Sequence, residues 1–194
     1  MEPCRLAAKN LACRRGDRVL FAGLSLELEQ GEAMQVTGAN GTGKSSLIRL
    51  LAGLLRPFAG EVDRKGGLAL VDERLALDEH MPLGPALAFW GRLDGGDAMA
   101  VACAAMQVDA LLDVPVRYLS TGQRKRAALA RLLCADAPIW LLDEPLNGLD
   151  RDARGMVGEL VAGHCARGGI AVVASHQPLA VLDLETLDVA GFAP

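Results

Sequence analysis

The residues with the clearest chemical meaning form one short run before residue 50. Gly38, Gly43, Lys44 and Ser45 match Gly-x-x-x-x-Gly-Lys-Ser, the pattern of a phosphate-binding P-loop. Its glycines let successive backbone N–H groups point at one centre, where a following helix N-terminus adds partial positive charge. We therefore predict a nucleotide polyphosphate site built by the following residues: Gly38, Ala39, Asn40, Gly41, Thr42, Gly43, Lys44, Ser45 and Ser46.

The flanks of this loop predict the strand and the helix that a P-loop requires. Alternating apolar residues before it indicate a strand, and residues 45–55 after it indicate an amphipathic helix. Lys44 is then expected to reach the outer phosphates, and Ser45 to offer its hydroxyl to Mg²⁺. A dinucleotide site is disfavoured, because Ser46 stands where its third glycine is needed.

Two further apolar runs end in residues that can do chemistry. Residues 139–142 lead into Asp143 and Glu144, as a buried parallel strand delivers acids to its carboxyl edge. We expect Asp143 to hold Mg²⁺ opposite Ser45, and Glu144 to polarise an attacking water as general base. A second buried strand ends at His176, at an edge where ligands bind, so a contact with the γ-phosphate is predicted.

Three other polar positions lie at predicted turns. Ser120 and Gln123 form a candidate capping box at the start of a basic helix. Asp150 follows an Asn-Gly-Leu turn and is a candidate helix cap. Arg15 belongs to the charged turn 14–18, whose simplest role is that of a solvated loop, although an arginine there can stack on an adenine face.

Composition narrows the classes of protein to consider. The 194 residues suffice for one domain with a small insert, and a net charge of −4 argues against a nucleic-acid partner. No apolar run approaches the ~18–20 residues of a membrane span, and no secretory signal begins the chain, so a cytoplasmic protein is expected. The five cysteines lack a metal-binding or disulfide spacing and are predicted to be buried or idle.

The predicted fold is of the α/β class. Leu24, Leu26 and Leu28 alternate with polar residues and, with residues 5–13, predict a small N-terminal antiparallel β layer. Residues at approximately 75–118 change to helical segments, interrupted by prolines and by Gly95-Gly96, and predict a compact helical insert. The whole is then a single domain, 1–194: a P-loop NTPase with a mostly parallel core sheet.

The order of motifs along essentially the whole chain resembles that of the ATP-binding cassette ATPase family. The motifs are, in sequence order, the P-loop, the helical insert, Leu-Ser-Thr-Gly-Gln, Asp-Glu, Gly-Leu-Asp and a strand followed by His. The resemblance implies a head-to-tail dimer of two copies. Each ATP, with Mg²⁺, is then held by the P-loop, Asp143, Glu144 and His176 of one subunit. The other subunit completes the site in trans with Ser120, Thr121, Gly122, Gln123 and Asp150.

Within that family, local stretches are similar to the ATPase subunit of cytochrome c maturation haem exporters: 10–18, 20–25, 138–145 and 175–179. This similarity implies a peripheral ATPase at the cytoplasmic face of the inner membrane, bound to integral membrane subunits of the exporter. ATP hydrolysis is then linked to haem delivery. Three alternative functions are considered: the ATPase subunit of another small ABC exporter, a regulatory ATP-binding module with little hydrolysis, and a soluble family member acting on ribosomes or chromosomes.

Two departures from the family pattern concern ligands. The glutamine or histidine usual after the strand near Val71 is absent, and the nearest positions are Asp72, Glu73 and Arg74. We hypothesise that Glu73 touches the magnesium sphere, because a carboxylate oxygen can ligate as an amide oxygen does. No aromatic residue occupies the turn that usually stacks the adenine, and Arg15 is the candidate replacement through a cation–π contact.

Overall fold

The structure, a computed structural model, describes residues 3–94, 98–181 and 184–194, and these pack as two units. The first unit comprises Met1–Leu70, Ala137–Pro145 and Val157–Pro194, and the second comprises Val71–Asp136 and Leu146–Met156. The strands are β1 (Arg5–Arg15), β2 (Arg18–Leu28), β3 (Ala33–Thr37), β4 (Ala59–Lys65), β5 (Leu68–Val71), β6 (Ile139–Asp143), β7 (Ile170–Ala174) and β8 (Glu185–Asp188). The α-helices are α1 (Lys44–Leu51), α2 (Leu83–Asp94), α3 (Met99–Ala105), α4 (Thr121–Cys134) and α5 (Arg151–Ala166).

A three-stranded antiparallel sheet, in the order β2-β1-β4, forms one layer of the first unit. The alternation in β2 buries Leu24, Leu26 and Leu28 on one face, so the predicted antiparallel layer is confirmed. Strand β4 was not predicted. Only Val62 among its seven residues is even partly buried, so the sequence carries no alternation to mark it.

The core sheet has five strands in the order β5-β6-β7-β3-β8. Its pairings β3·β7, β6·β7 and β3·β8 are parallel, which confirms the predicted α/β class with a mostly parallel core. Every residue of β6 and β7 is buried, as expected for parallel strands covered on both faces. The exposed edge strand β8, Glu-Thr-Leu-Asp, has no such run and was not predicted.

Helix α1 begins directly behind the P-loop and packs against the core. It buries Leu47, Ile48, Leu50 and Leu51, whereas the predicted helix extended to residue 55. Gly53 explains the earlier end, because its φ of +76° is a left-handed conformation that stops a helix.

The second unit is mainly helical. Helices α2, α3 and α4 contact one another, and Pro82 and Pro115 form an isolated β-bridge. Helix α4 starts with the predicted capping box: the Gln123 N–H donates to Ser120 Oγ, and the Ser120 N–H donates to Gln123 Oε1. The break predicted at Gly95-Gly96 lies outside the described residues. No helix in the described part of the chain is long and apolar enough to cross a bilayer.

All five cysteines are buried and free, as predicted. Burial raises the pKa of the Cys165 thiol to about 11, so this sulfur stays a neutral thiol near neutral pH.

A buried histidine ties α5 to the core sheet. The ring of His164 stacks on Trp140 with centroids 3.7 Å apart, and its Nε2 lies 3.1 Å from the carbonyl oxygen of Pro138. Nε2 therefore carries the ring proton and donates a hydrogen bond to that carbonyl oxygen. Burial is the main cause that lowers the pKa of His164 from 6.5 to about 4, because the charged imidazolium would be poorly solvated.

This lowered pKa predicts an acid-sensitive fold. The unfolded chain takes up a proton at His164 near pH 6.5 and the folded protein only near pH 4, so the free energy of unfolding falls as pH drops between these values. The loss between pH 7 and pH 4.5 is about 2–3 kcal/mol. We expect His164→Phe, which can stack but cannot titrate, to be less stable than wild type at pH 7 and to recover that deficit by pH 4.5. Urea unfolding at both pH values measures this. Parallel pH dependence of the two proteins would contradict it.

Candidate functional site

The carboxyl ends of three neighbouring strands meet at one edge of the core sheet. In the parallel register Val36 of β3 and Asp143 of β6 both pair with Ala174 of β7. The segments that leave these strands therefore start at the same level. They carry the P-loop, Glu144 and His176, which are the predicted site residues of the first unit.

The P-loop is curled, and Lys44 lies folded over it. The buried Lys44 Nζ donates to the carbonyl oxygens of Gly38 at 2.8 Å and Ala39 at 3.4 Å. Thr42 Oγ1 donates to the same Ala39 oxygen at 2.9 Å. A Cβ on Gly38 would lie 2.8 Å from Thr42 Oγ1, so this turn requires glycine. The ammonium is thus positioned at the mouth of a loop shaped for phosphate.

Ser45 and Asp143 form a hydrogen-bonded pair of oxygen-bearing side chains. The Ser45 hydroxyl donates to Asp143 Oδ1 at 3.0 Å, and Asp143 is almost fully buried. A hydroxyl and a carboxylate are hard oxygen donors and fit Mg²⁺, which usually takes one or two protein oxygens and completes its shell with water and phosphate oxygens. Over residues 3–94, 98–181 and 184–194 no group of three or more His, Cys, Asp or Glu side chains could hold a metal ion by itself.

Glu144 is held in an unusual backbone conformation. Its φ is +47°, which costs a non-glycine residue about 1–2 kcal/mol, and its N–H donates to the Ala174 carbonyl oxygen at 2.8 Å. Its side chain is 11 % exposed and lies between two groups that can carry positive charge: Lys44 Nζ at 3.8 Å from Oε1 and His176 Nδ1 at 2.9 Å from Oε2. The strained backbone thus aims the carboxylate at the P-loop lysine.

The side chain of His176 is 50 % exposed. Its Nδ1 lies 2.9 Å from Glu144 Oε2, and its Nε2 lies 3.5 Å from the side-chain nitrogen of Gln177. The structure therefore brings together Lys44, Ser45, Asp143, Glu144 and His176 within the first unit.

The residues predicted to act in trans lie in the second unit. Ser120 and Thr121 are exposed at the N-terminus of α4, and a Cβ on Gly122 would lie 2.9 Å from the Gly148 carbonyl oxygen. Asp150 caps α5 by accepting from the Ala153 N–H at 2.8 Å. The start of α4 thus presents free backbone donors to solvent.

The remaining predicted ligand residues are Arg15 and Glu73, and the structure adds Gln35 to the residues of the site. Arg15 is exposed, and its Nε lies 3.4 Å from Ser46 Oγ, beside the P-loop helix. Glu73 is exposed and belongs to the second unit. Gln35, for which no role is predicted from the sequence, has a buried side chain that is hydrogen-bonded to the segment that carries His176. The sequence signal that could have identified Gln35 is a polar residue inside a strand of otherwise buried apolar residues.

The arrangement defines a P-loop nucleoside triphosphatase: a phosphate cradle with its lysine, oxygen ligands for a cation and a carboxylate aimed at the cradle. A family model described as ABC transporter matches residues 21–147. The chain belongs to the ABC transporter family, and it is an ATP-binding, ATP-hydrolysing member of that family.

Full-length relatives share one name, cytochrome c biogenesis ATP-binding export protein CcmA. The protein from Novosphingobium aromaticivorans is 59 % identical over 194 residues, covering 100 % of both chains. Its counterpart from Zymomonas mobilis is 53 % identical and covers 97 % of this chain and 86 % of its own. That from Rhodospirillum rubrum is 41 % identical, with 99 % and 88 % covered.

Solved structures agree with the fold. An ATP-binding protein of an ABC transporter from Pyrococcus furiosus superposes with a TM-score of 0.85 at 22 % identity and covers 98 % of this chain and 100 % of its own. A chain from a transporter classed as metal-chelate type ABC, in an inward-facing conformation, gives a TM-score of 0.80 at 25 % identity and covers 96 % and 80 %.

The position of Lys44 predicts its effect on nucleotide affinity. Lys44→Met removes the ammonium at the mouth of the P-loop, and we expect ATP to bind about 10- to 100-fold more weakly, since hydrogen bonds to charged groups are worth about 1.5–3 kcal/mol. Titration with a fluorescent ATP analogue measures the affinity. Lys65→Met, at an exposed position of β4, is the matched control and should bind like wild type. Equal affinity of both variants would refute this placement of Lys44.

Proposed function

We propose that this chain is the ATPase subunit of a membrane export system for cytochrome c biogenesis, in which ATP hydrolysis drives haem export or delivery. The observation that carries the proposal is the convergence of Lys44, Glu144 and His176 beside the Ser45–Asp143 pair, in a chain whose full-length relatives carry that name. These relatives also favour this role over other small exporters and over soluble members of the family.

Each side chain of the site has a distinct task in this proposal. Lys44 moves from its own loop carbonyls to the outer phosphates, and Ser45 and Asp143 hold Mg²⁺. The ion would neutralise charge on the β- and γ-phosphates. Glu144 accepts a proton from the attacking water, and His176 orients that carboxylate through Nδ1 and contacts the γ-phosphate.

A second copy of the chain supplies the rest of the site. The exposed start of α4, with Ser120, Thr121, Gly122 and Gln123, offers backbone donors and a hydroxyl to the γ-phosphate bound by the partner. Asp150 belongs to the same surface of the partner in this arrangement. ATP then holds two subunits together, and hydrolysis lets the dimer reopen.

The proposed location is the cytoplasmic face of the inner membrane, where the chain binds integral membrane subunits peripherally. The second unit carries large exposed apolar side chains, as a docking surface does: Phe89, Leu93, Val101 and Tyr118. Motion of this unit after hydrolysis would pass to the membrane subunits.

Two ligand roles complete the proposal. Arg15 packs against the adenine face, which its position beside Ser46 at the P-loop helix supports. Glu73 is the proposed substitute for the usual glutamine as a magnesium ligand, and its exposure leaves the carboxylate accessible.

Glu144→Gln is the sharpest test of the chemistry. The amide keeps the size and contacts of the side chain but cannot accept the proton of water, so we expect turnover to fall about 10²- to 10⁴-fold while ATP still binds. Steady-state ATPase assays and ATP titration measure the two quantities. In cells whose own copy is deleted, the same variant should fail to restore haem-stained c-type cytochromes.

Glu159→Gln is the control for this variant, because Glu159 is an exposed glutamate of α5 outside the site. It should hydrolyse ATP and restore cytochromes like wild type. Wild-type turnover by Glu144→Gln would refute Glu144 as the base. Wild-type cytochrome levels in cells carrying an inactive Glu144→Gln protein would refute the export role and favour a regulatory module.

Mixing two inactive variants tests the composite site. Lys44→Met disables the P-loop, and Ser120→Arg blocks the surface offered in trans, so each should be inactive alone. A mixed dimer has one intact site, and random mixing of equal amounts should restore about a quarter of wild-type ATPase activity. Replacing Lys44→Met by the double variant Lys44→Met/Ser120→Arg leaves no intact site and should abolish the rescue. Absence of rescue in the first mixture would contradict a site shared between copies.

A further inference from the structure

Gln35 is a buried amide that the chemistry above does not use. It lies in β3, three residues before the P-loop glycine Gly38, and is 6 % exposed. Its neighbours Met34 and Val36 are buried apolar residues. A polar side chain in such a strand destabilises the fold unless its hydrogen-bonding groups are paired, so its partners indicate what it does.

The Gln35 side chain makes three hydrogen bonds to the backbone of one short segment, residues 175–179. Nε2 donates to the carbonyl oxygen of Gln177 at 2.7 Å and to that of Ser175 at 3.4 Å. Oε1 accepts from the N–H of Leu179 at 3.3 Å. The amide therefore contacts the backbone on both sides of His176.

A primary amide of this length is specifically suited to these partners. Two carbonyl oxygens need a donor, and the Leu179 N–H needs an acceptor. A glutamate would place charge against two carbonyls, an apolar residue would satisfy none of the three groups, and asparagine is one methylene shorter. Ser175 adds to the rigidity of the turn, because its hydroxyl donates to the carbonyl and accepts from the N–H of Gln177, both at 3.0 Å.

The segment held in this way carries the half-exposed His176, whose ring contacts Glu144 at 2.9 Å. Few side-chain contacts fix an exposed ring, so its position depends on its backbone. We propose that Gln35 is a positioning residue that anchors the His176 segment to the P-loop strand. The anchor keeps the proposed phosphate-contacting histidine at a constant distance from the phosphate cradle. This inference rests on the role proposed above for His176.

Loss of the Gln35 amide should therefore affect ATP turnover and ATP binding differently. The three hydrogen bonds of the amide described above go to residues 175–179 and not to the P-loop, so ATP affinity should survive its loss. The catalytic arrangement of His176 and Glu144 should become less well ordered, which lowers kcat. A general weakening of the fold would instead affect affinity and turnover together.

The experiment compares Gln35→Met, which has nearly the same volume without the amide, with wild type. We expect kcat to fall about 10- to 100-fold with ATP affinity changed less than about threefold. Hydrogen exchange of the Leu179 N–H should accelerate locally. Gln35→Asn, a milder change that keeps an amide, should show the same pattern with a smaller loss. The matched control is Val172→Ala in β7, a buried apolar truncation in the same sheet that should destabilise the fold without either effect.

A double-mutant cycle with His176→Ala decides whether Gln35 acts through His176. If it does, Gln35→Met lowers kcat in the wild-type background and has no further effect when His176 is alanine. Equal losses in both backgrounds would overturn the inference, as would unchanged exchange of the Leu179 N–H in both Gln35 variants. If His176→Ala itself hydrolyses ATP at the wild-type rate, the proposed role of His176 fails. The exchange data then still report separately whether Gln35 anchors the segment.

Discussion

The parallel hydrogen bonding of β3, β7 and β6 is the constraint on which the rest of the site depends. Val36 and Asp143 pair with the same residue, Ala174, so three strands deliver their following segments to one level of one edge. A slip of one residue in either pairing would turn the affected side chains to the opposite face. Every residue of β6 and β7 is buried, so such a slip would require side chains on both faces of the sheet to repack.

Beyond this edge, polar bonds to the backbone set the position of the reactive groups. Glu144 has a positive φ and its N–H donates to the Ala174 carbonyl oxygen, and the Gln35 amide bonds to the segment of His176. Lys44 is bonded to carbonyls of its own loop. Glu144 and His176 are therefore oriented within the first unit before a nucleotide arrives, which reduces the reorganisation needed at the reaction, whereas Lys44 would first have to leave its own carbonyls.

The sequence predicted those parts that follow from local patterns. The P-loop glycines, the apolar runs of β6 and β7 and the capping box of Ser120 have signals of a few residues, and the structure contains all of them. Strands β4 and β8 lack such signals, because they are exposed and gain their order from pairing. The bonds of Gln35 also escaped prediction, since they join residues about 140 positions apart and depend on the sheet order.

The proposed function requires that this edge of the sheet forms half of an ATP site, which a second copy of the chain completes. Its most direct test is the ATPase rate per subunit measured over a dilution series, with the dimer fraction in ATP followed by mass photometry. If the site is shared, the ATPase rate per subunit should fall in proportion to the fraction of protein that is dimeric. A constant rate per subunit at dilutions where the protein is entirely monomeric would contradict it.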